Sequence, residues 1–305
     1  MHDVIIIGAG PAGYTAGIYC ARARHDTLLI SGILPGGQLM NTTDVENYPG
    51  FSDGIMGPDL MTVMRKQTEK MGTKIIDDEV TSVDFKNRPL KVKTASEEFE
   101  ARAVIVCTGA NPRKIGLEGE QTFAGKGVSY CATCDGAFFR DQELIVVGGG
   151  DSAMEEAIFL TKFASVVHIV HRKEEFRASK IMQERALSNE KIKVHFNSTV
   201  KEIHGDQKFQ QVVLNNTKTN EDKILKAGGL FIAIGHEPNS VIFQDQIELD
   251  GNGYIVIKNN TETSMSGVFC AGDVHDHRYR QAVTAAGFGC MAAIDVDKYL
   301  SESDT

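Results

Sequence analysis

Apolar residues gather in short runs along this chain, and one pattern of runs comes twice. "DVIIIGAGPAGYTAGIYCARA" opens with four consecutive β-branched residues, Val4 to Ile7, meets a glycine-rich turn and continues into an alanine-rich stretch. An unbroken apolar run ending in glycine predicts a strand buried on both faces, and the spacing after it is helical. The same order returns at "ELIVVGGGDSAMEEAIFLTKFA", 140 residues on when counted from Gly8 to Gly148. Two strand–loop–helix units predict an α/β fold with two Rossmann-like nucleotide-binding domains of the doubly wound type.

Between the units, "RPLKVKTASEEFEARAVIVCTG" predicts short strands ending in a glycine turn. After the second unit, "KVHFNSTVKEIHG", "FQQVVLNN", "GGLFIAIG" and "GVFCAGDV" predict further strands. The late stretch "YRQAVTAAGFGCMAAIDVDKYL" has the alanine content and apolar spacing of a helix. If that helix packs on the first unit, the first domain is built from both ends of the chain and the second is an insertion. The expected division is 1–112 and 243–305 for the first domain and 113–242 for the second. No low-complexity linker marks either crossing, so both must be short.

Composition narrows the class. A length of 305 residues suits two domains, and the formal net charge of −9 argues against non-specific nucleic-acid binding. No apolar run approaches the roughly 18 residues of a membrane span, and "MHDVIIIGAG" lacks secretory-signal features. The expected location is the cytoplasm. In that reducing compartment a close cysteine pair is catalytic or metal-binding more often than structural.

In "GAGPAG", Gly8 permits the tight turn, Gly10 admits a pyrophosphate to the backbone, and Gly13 lets helix and strand pack closely. Pro11 and Ala12 start the helix, whose N-terminus faces the phosphates. An acid usually ends the second strand of such a unit and binds a ribose hydroxyl, but "TLLISG" ends in Ser31. Either the loop "ILPGGQL" has taken that role or the first site is not an NAD site. In the second unit, Gly148, Gly150, Asp151, Ser152 and Ala153 form the matching loop. Its second strand is followed by Arg172, Lys173 and Arg177, cations that favour a 2′-phosphate and hence NADP. Glu174 and Glu175 are interleaved, so a solvated charged surface is the rival reading.

"SYCATCDGAFF" holds Cys131 and Cys134, two of six cysteines. A structural zinc site normally needs four ligands, and no second CxxC is present. Cys20, Cys107, Cys270 and Cys290 are scattered singly in apolar surroundings and read as buried small hydrophobes. Metal binding is not expected. Two dinucleotide loops flanking a CxxC imply an electron path from nicotinamide through flavin to a disulfide.

"GAGPAG", "GGQL", "ENYPG", "CATCDGAFF", "GGGDSAMEEA", "HRKEEFRA", "AIGHEPN" and "GVFCAGDVHDHRYRQAVTAAGFGCMAA" resemble, in order and spacing, the low-molecular-weight thioredoxin reductases, from Asp3 to about Tyr299. The resemblance implies FAD along Gly8 to Gly13, with Gly37, Gln38 and Asn47 in contact and Val80 on the adenine side. It places Asp273 at the ribityl chain and Arg280, Gln281 and Ala282 at the flavin ring, with a helix from near Tyr279 aimed at that ring. Gly109, Ile234 and Gly235 are further cofactor contacts. NADPH would sit on the second loop and its basic cluster, where Lys173 departs from the usual "HRR" pattern.

The resemblance further implies that Cys134 lies nearest the flavin, that Cys131 attacks the disulfide of the protein substrate, and that Asp135 is the acid. The NADPH domain would turn relative to the FAD domain to serve both ends of the path. The implied partner is thioredoxin or a thioredoxin-like redoxin, and the implied assembly is a homodimer. The alternative is an NADPH-dependent reductase of another redoxin or of a peroxide-reducing system.

Overall fold

A computed structural model describes residues 1–33 and 35–303. The chain divides into two compact units, Met1–Asn111 with the chain from Glu237 onward, and Pro112–His236. The second crossing therefore falls at His236/Glu237, earlier than residue 242. The reason is local: Gly235 turns the backbone at φ +103, and Phe243 is already buried among the apolar residues of the first unit.

In the first unit, strand His2–Ile7 pairs in parallel with Thr27–Ile30 on one side and with Glu98–Val106 on the other. Thr27–Ile30 in turn pairs with Lys74–Ile76. Val4, Ile5 and Ile6 are wholly buried, as an unbroken apolar strand between two layers requires. Glu98–Val106 is shared along its far edge. Its first half pairs antiparallel with Leu90–Thr94, and its last residues pair in parallel with Val268–Cys270. That last pairing draws the C-terminal segment into the first sheet.

Helix Ala282–Ser303 lies against helix Pro11–Arg22 so closely that a Cβ on Gly289 would meet the Ala12 carbonyl at 2.2 Å. The small residues of "AAGFGCMAA" are what permit this approach. The helix starts at Ala282 rather than near Tyr279, because Arg280 sits at φ +47, a conformation no right-handed helix continues through.

The second unit has a parallel sheet in the order Val128–Ser129, Gly229–Ile232, Glu143–Val147, Val166–Val170, Ile192–His195. Helices Asp151–Leu160 and Lys180–Leu187 accompany it, with Leu144, Val146, Met154, Leu160 and Phe231 buried in its core. A three-stranded antiparallel sheet, Ser198–Gly205, Phe209–Asn216 and Asp222–Lys226, completes the unit.

Candidate active site

The first glycine loop is built as its spacing predicts. Gly8 has φ +108, and a Cβ there would meet the Cys107 carbonyl at 2.3 Å. A Cβ on Gly13 would meet the Gly8 carbonyl at 1.9 Å. A Cβ on Gly10 would meet nothing within 4 Å, so this glycine faces open space at the start of helix Pro11–Arg22, which has no side-chain cap. Unpaired N–H groups and the positive end of the helix dipole are thus left for a phosphate. Gly37, at φ +62, packs beside Gly10, its would-be Cβ 3.7 Å from the Gly10 Cα. Gln38 donates to Asn111 at 2.7 Å, and Asn47 donates to Gln281 at 3.4 Å, which brings "PGGQ", "ENYPG" and "RQA" into one neighbourhood.

Ser31 donates its hydroxyl to Asp77 at 2.7 Å, and Arg65 holds both oxygens of the same carboxylate. The position of the missing acid is therefore filled by a neutralised network. Val80 is buried at the head of strand Val80–Asp84, and Gly109 turns the backbone at φ +69. Asp273 is half-buried, and its Oδ1 is buried with no hydrogen-bond partner. Burial, and then the nearby Asp276, push its carboxyl up to about 7 against the opposing pull of Arg280. A buried oxygen without a partner asks for a ligand hydroxyl. Together these residues fit a dinucleotide such as FAD.

In the second unit, Gly148 packs against Ala153 and the Ala233 carbonyl, next to Ile234 and Gly235. Gly150 again has no neighbour within 4 Å of a would-be Cβ and starts an uncapped helix, Asp151–Leu160. The Asp151 side chain accepts from the Ser179 backbone and hydroxyl, each at 2.8 Å, while Ser152 follows in the first turn. Arg172, Lys173 and Arg177 are all exposed on a loop that buried Phe176 anchors against Phe196. Arg177 and Ala178 donate their backbone N–H groups to the Gly149 carbonyl, which fastens this basic loop to the glycine loop. The set fits a phosphorylated pyridine dinucleotide.

Cys131 and Cys134 form a disulfide. Cys131 precedes the short helix Ala132–Asp135, where its sulfur accepts the Cys134 N–H at 3.2 Å. Cys134 is exposed and Cys131 half-buried. Asp135 makes no capping bond to the turn that follows; its Oδ2 instead receives the Ser129 hydroxyl at 2.5 Å. Burial raises the Asp135 carboxyl above its usual range, and the Ser129 bond draws it partly back. An acid held nearer neutral pH within the redox turn is a chemically suitable proton source for a departing thiolate.

Burial keeps the remaining core thiols inert, with Cys20 pushed up to about 12 and Cys107 and Cys270 also raised. Cys290 differs from expectation. It is half-buried and meets the Tyr19 hydroxyl, because its face of helix Ala282–Ser303 is not covered by the core. Among the described residues, no group of three or more His, Cys, Asp or Glu is placed to hold a metal. No helix among them is long and apolar enough to cross a membrane.

Several participants were not singled out in sequence. Ser129 stands two residues before Cys131, and nothing in a linear string says that its hydroxyl turns toward residue 135. His171 and Gly149 likewise matter only through their contact. Glu120, 2% exposed, accepts from the Ile115 and Gly116 N–H groups and from Tyr130, which fixes the strand leading into the cysteines.

Comparison with known proteins bears on this geometry. The family described as pyridine nucleotide-disulphide oxidoreductase matches residues 2–289. A thioredoxin reductase of Streptomyces clavuligerus is 54% identical over 99% of this chain and 94% of its own length. A bifunctional thioredoxin reductase/thioredoxin of Mycobacterium leprae is 51% identical over 99% of this chain and 66% of its own. The crystal structure of thioredoxin reductase from Streptococcus pyogenes MGAS5005 is 44% identical, with a TM-score of 0.94 and 99% of both chains covered.

Proposed function

The chain belongs to the pyridine nucleotide-disulphide oxidoreductases, and from that premise we propose that it is the NADPH-dependent reductase of thioredoxin. The observation that carries this reading is the Cys131–Cys134 disulfide, beside the half-buried Asp135, in the same unit as a glycine loop fastened to a basic loop.

The first unit is the FAD domain. Gly8, Gly10, Pro11, Ala12 and Gly13 hold the pyrophosphate, while Gly37, Gln38, Asn47, Val80 and Gly109 line the rest of the dinucleotide. Asp273 takes a ribityl hydroxyl, and Arg280, Gln281 and Ala282 meet the ring. The second unit is the NADPH domain, with Gly148 to Ala153, Ile234 and Gly235 along the dinucleotide and Arg172, Lys173 and Arg177 on the 2′-phosphate. Bound FAD supplies the two-electron relay between nicotinamide and disulfide.

The chain's own residues do the rest. As the Cys131–Cys134 bond opens, Asp135 gives its proton to the departing sulfur, so that a disulfide plus two electrons and two protons becomes a dithiol. The Cys131 thiolate then attacks the thioredoxin disulfide and forms a mixed disulfide. Cys134 attacks Cys131 in turn and releases reduced thioredoxin. One NADPH and one proton are consumed per disulfide reduced.

The working assembly is a homodimer. Tyr19, Val63, Val283, Met291 and Ile294 are apolar yet exposed on three helices of the first unit, side chains that a second copy would cover. The chain works in the cytoplasm, where four free thiols beside one redox disulfide are at home. The test is oxidation of NADPH by the flavin-loaded protein with oxidised thioredoxin as acceptor. Turnover with thioredoxin, but not with glutathione disulfide, is expected; no turnover with thioredoxin overturns the reading.

A further inference from the structure

We propose that Ser129 is a positioning residue for disulfide reduction: its hydroxyl holds the Asp135 carboxyl against the Cys131 backbone in both protonation states of that acid. The inference rests on the reading of Asp135 as the acid.

Ser129 ends strand Val128–Ser129, is 6% exposed, and is registered against Phe231 of the neighbouring strand. Its Oγ meets three groups of the redox turn. It accepts the Cys131 N–H at 3.1 Å, lies 2.5 Å from Asp135 Oδ2, and lies 3.4 Å from the Cys131 carbonyl. That carbonyl also accepts the Asp135 N–H at 3.1 Å, so the three residues close a ring of hydrogen bonds.

A serine hydroxyl carries one hydrogen and two lone pairs. The Cys131 N–H occupies one lone pair. When Asp135 is ionised, the serine hydrogen points at Oδ2. When Asp135 is protonated on Oδ2, that proton points at the second lone pair of Oγ, and the serine hydrogen turns to the Cys131 carbonyl. The heavy atoms stay where they are. The acid can give up and regain a proton without its carboxyl leaving Ser129 and the redox turn, which is what an acid used once per turnover requires. A purely structural role, bracing the turn before Cys131, would need only the Cys131 N–H bond. It would not link Ser129 to the titration of Asp135.

The two roles separate in a pH profile. Turnover with oxidised thioredoxin is measured from pH 6 to 9 for the flavin-loaded wild type, Ser129→Ala, Ser129→Thr, Asp135→Asn and the double variant Ser129→Ala/Asp135→Asn. Loss of a hydrogen bond to a charged group predicts a drop of about tenfold in Ser129→Ala at neutral pH. Its alkaline limb should move to higher pH, because ionised Asp135 has lost its donor. Ser129→Thr should restore both rate and limb, and the double variant should be no slower than Asp135→Asn. Ser129→Cys, a weak donor of similar size, stands in if the alanine variant fails to hold FAD. A slow Asp135→Asn beside a Ser129→Ala of normal rate and limb overturns the inference alone. So does a slow Ser129→Ala whose limb stays in place. An Asp135→Asn with full turnover overturns the acid reading and this inference with it.

Discussion

The His171 ring occupies the space that a side chain on Gly149 would need: a Cβ there would lie 2.2 Å from Nδ1 and Cε1 of the imidazole. His171 Nε2 donates to the Glu175 carbonyl at 3.0 Å, while Arg177 and Ala178 reach back to the Gly149 carbonyl. Burial, with help from Arg177 and Arg172, holds the His171 pKa below its usual value, against the Glu175 bond, which favours the charged ring. The middle glycine of "GGG" is therefore set by packing against the ring.

Gly149→Ala should displace His171 and loosen the loop that carries Arg172 and Arg177. Overpacking of this kind costs about 1–3 kcal/mol, and here it falls on the NADPH site. The expected result is a rise in KM for NADPH of about tenfold or more, with FAD content unchanged. An unaltered KM would mean that the two loops are not coupled.

Arg172→Ala should weaken NADPH by about ten- to a hundredfold, the usual loss on removing a charged partner of a phosphate, and leave NADH almost untouched. Lys173→Ala should do less, since an ammonium offers a point charge and no bidentate fork. Parallel titrations with both nucleotides decide it. Equal losses for NADPH and NADH would show that the cluster does not read the 2′-phosphate.

The architecture was legible because its signals are local. Val4 to Ile7 and Leu144 to Val147 are apolar runs ending in glycine, and the strands and loops they predict are present. The start of the last helix was misplaced because Arg280 adopts φ +47, which nothing in "HRYRQA" announces. At the redox turn, the CxxC spacing marked Cys131 and Cys134 as a redox pair, and the family resemblance supplied Asp135 as the acid. Ser129 could not be named, because its role depends on a hydroxyl folding back over six residues of chain, and pattern reading carries no side-chain direction. Cys290 was misjudged for a related reason. Apolar neighbours in sequence lie on different faces of a helix, and its own face is half open.

Cys131→Ser and Cys134→Ser should each abolish thioredoxin reduction, because a lone thiol cannot close the electron path. Both variants should still oxidise NADPH with ferricyanide, which can take electrons without the disulfide. Stopped assays with each acceptor, at matched FAD content, separate loss of the redox pair from loss of the fold. Thioredoxin turnover above about a hundredth of wild type in either variant would contradict the scheme, since nucleophile removal typically costs far more.

Asp273 gives a prediction with a definite sign. Its carboxyl is pushed from 3.8 to about 7 in the folded protein, by burial first and Asp276 second. Between those values the folded FAD-free protein keeps a proton that the unfolded chain has released. The stability tied to that proton is present below the unfolded pKa and is lost as pH rises through the folded one. Asp273→Asn removes the titration. The FAD-free variant should therefore melt above FAD-free wild type at pH 8 by several degrees, reflecting on the order of a few kcal/mol, and the gap should narrow markedly by pH 5. His275, depressed to about 4, titrates in both proteins and drops out of the comparison. The same variant should hold FAD more weakly, because an amide replaces a carboxylate that would accept a ribityl hydroxyl. Melting curves at the two pH values, with a flavin-release titration, test both halves. A gap of the same size at pH 5 and pH 8 would show that the Asp273 charge is not what destabilises the empty site.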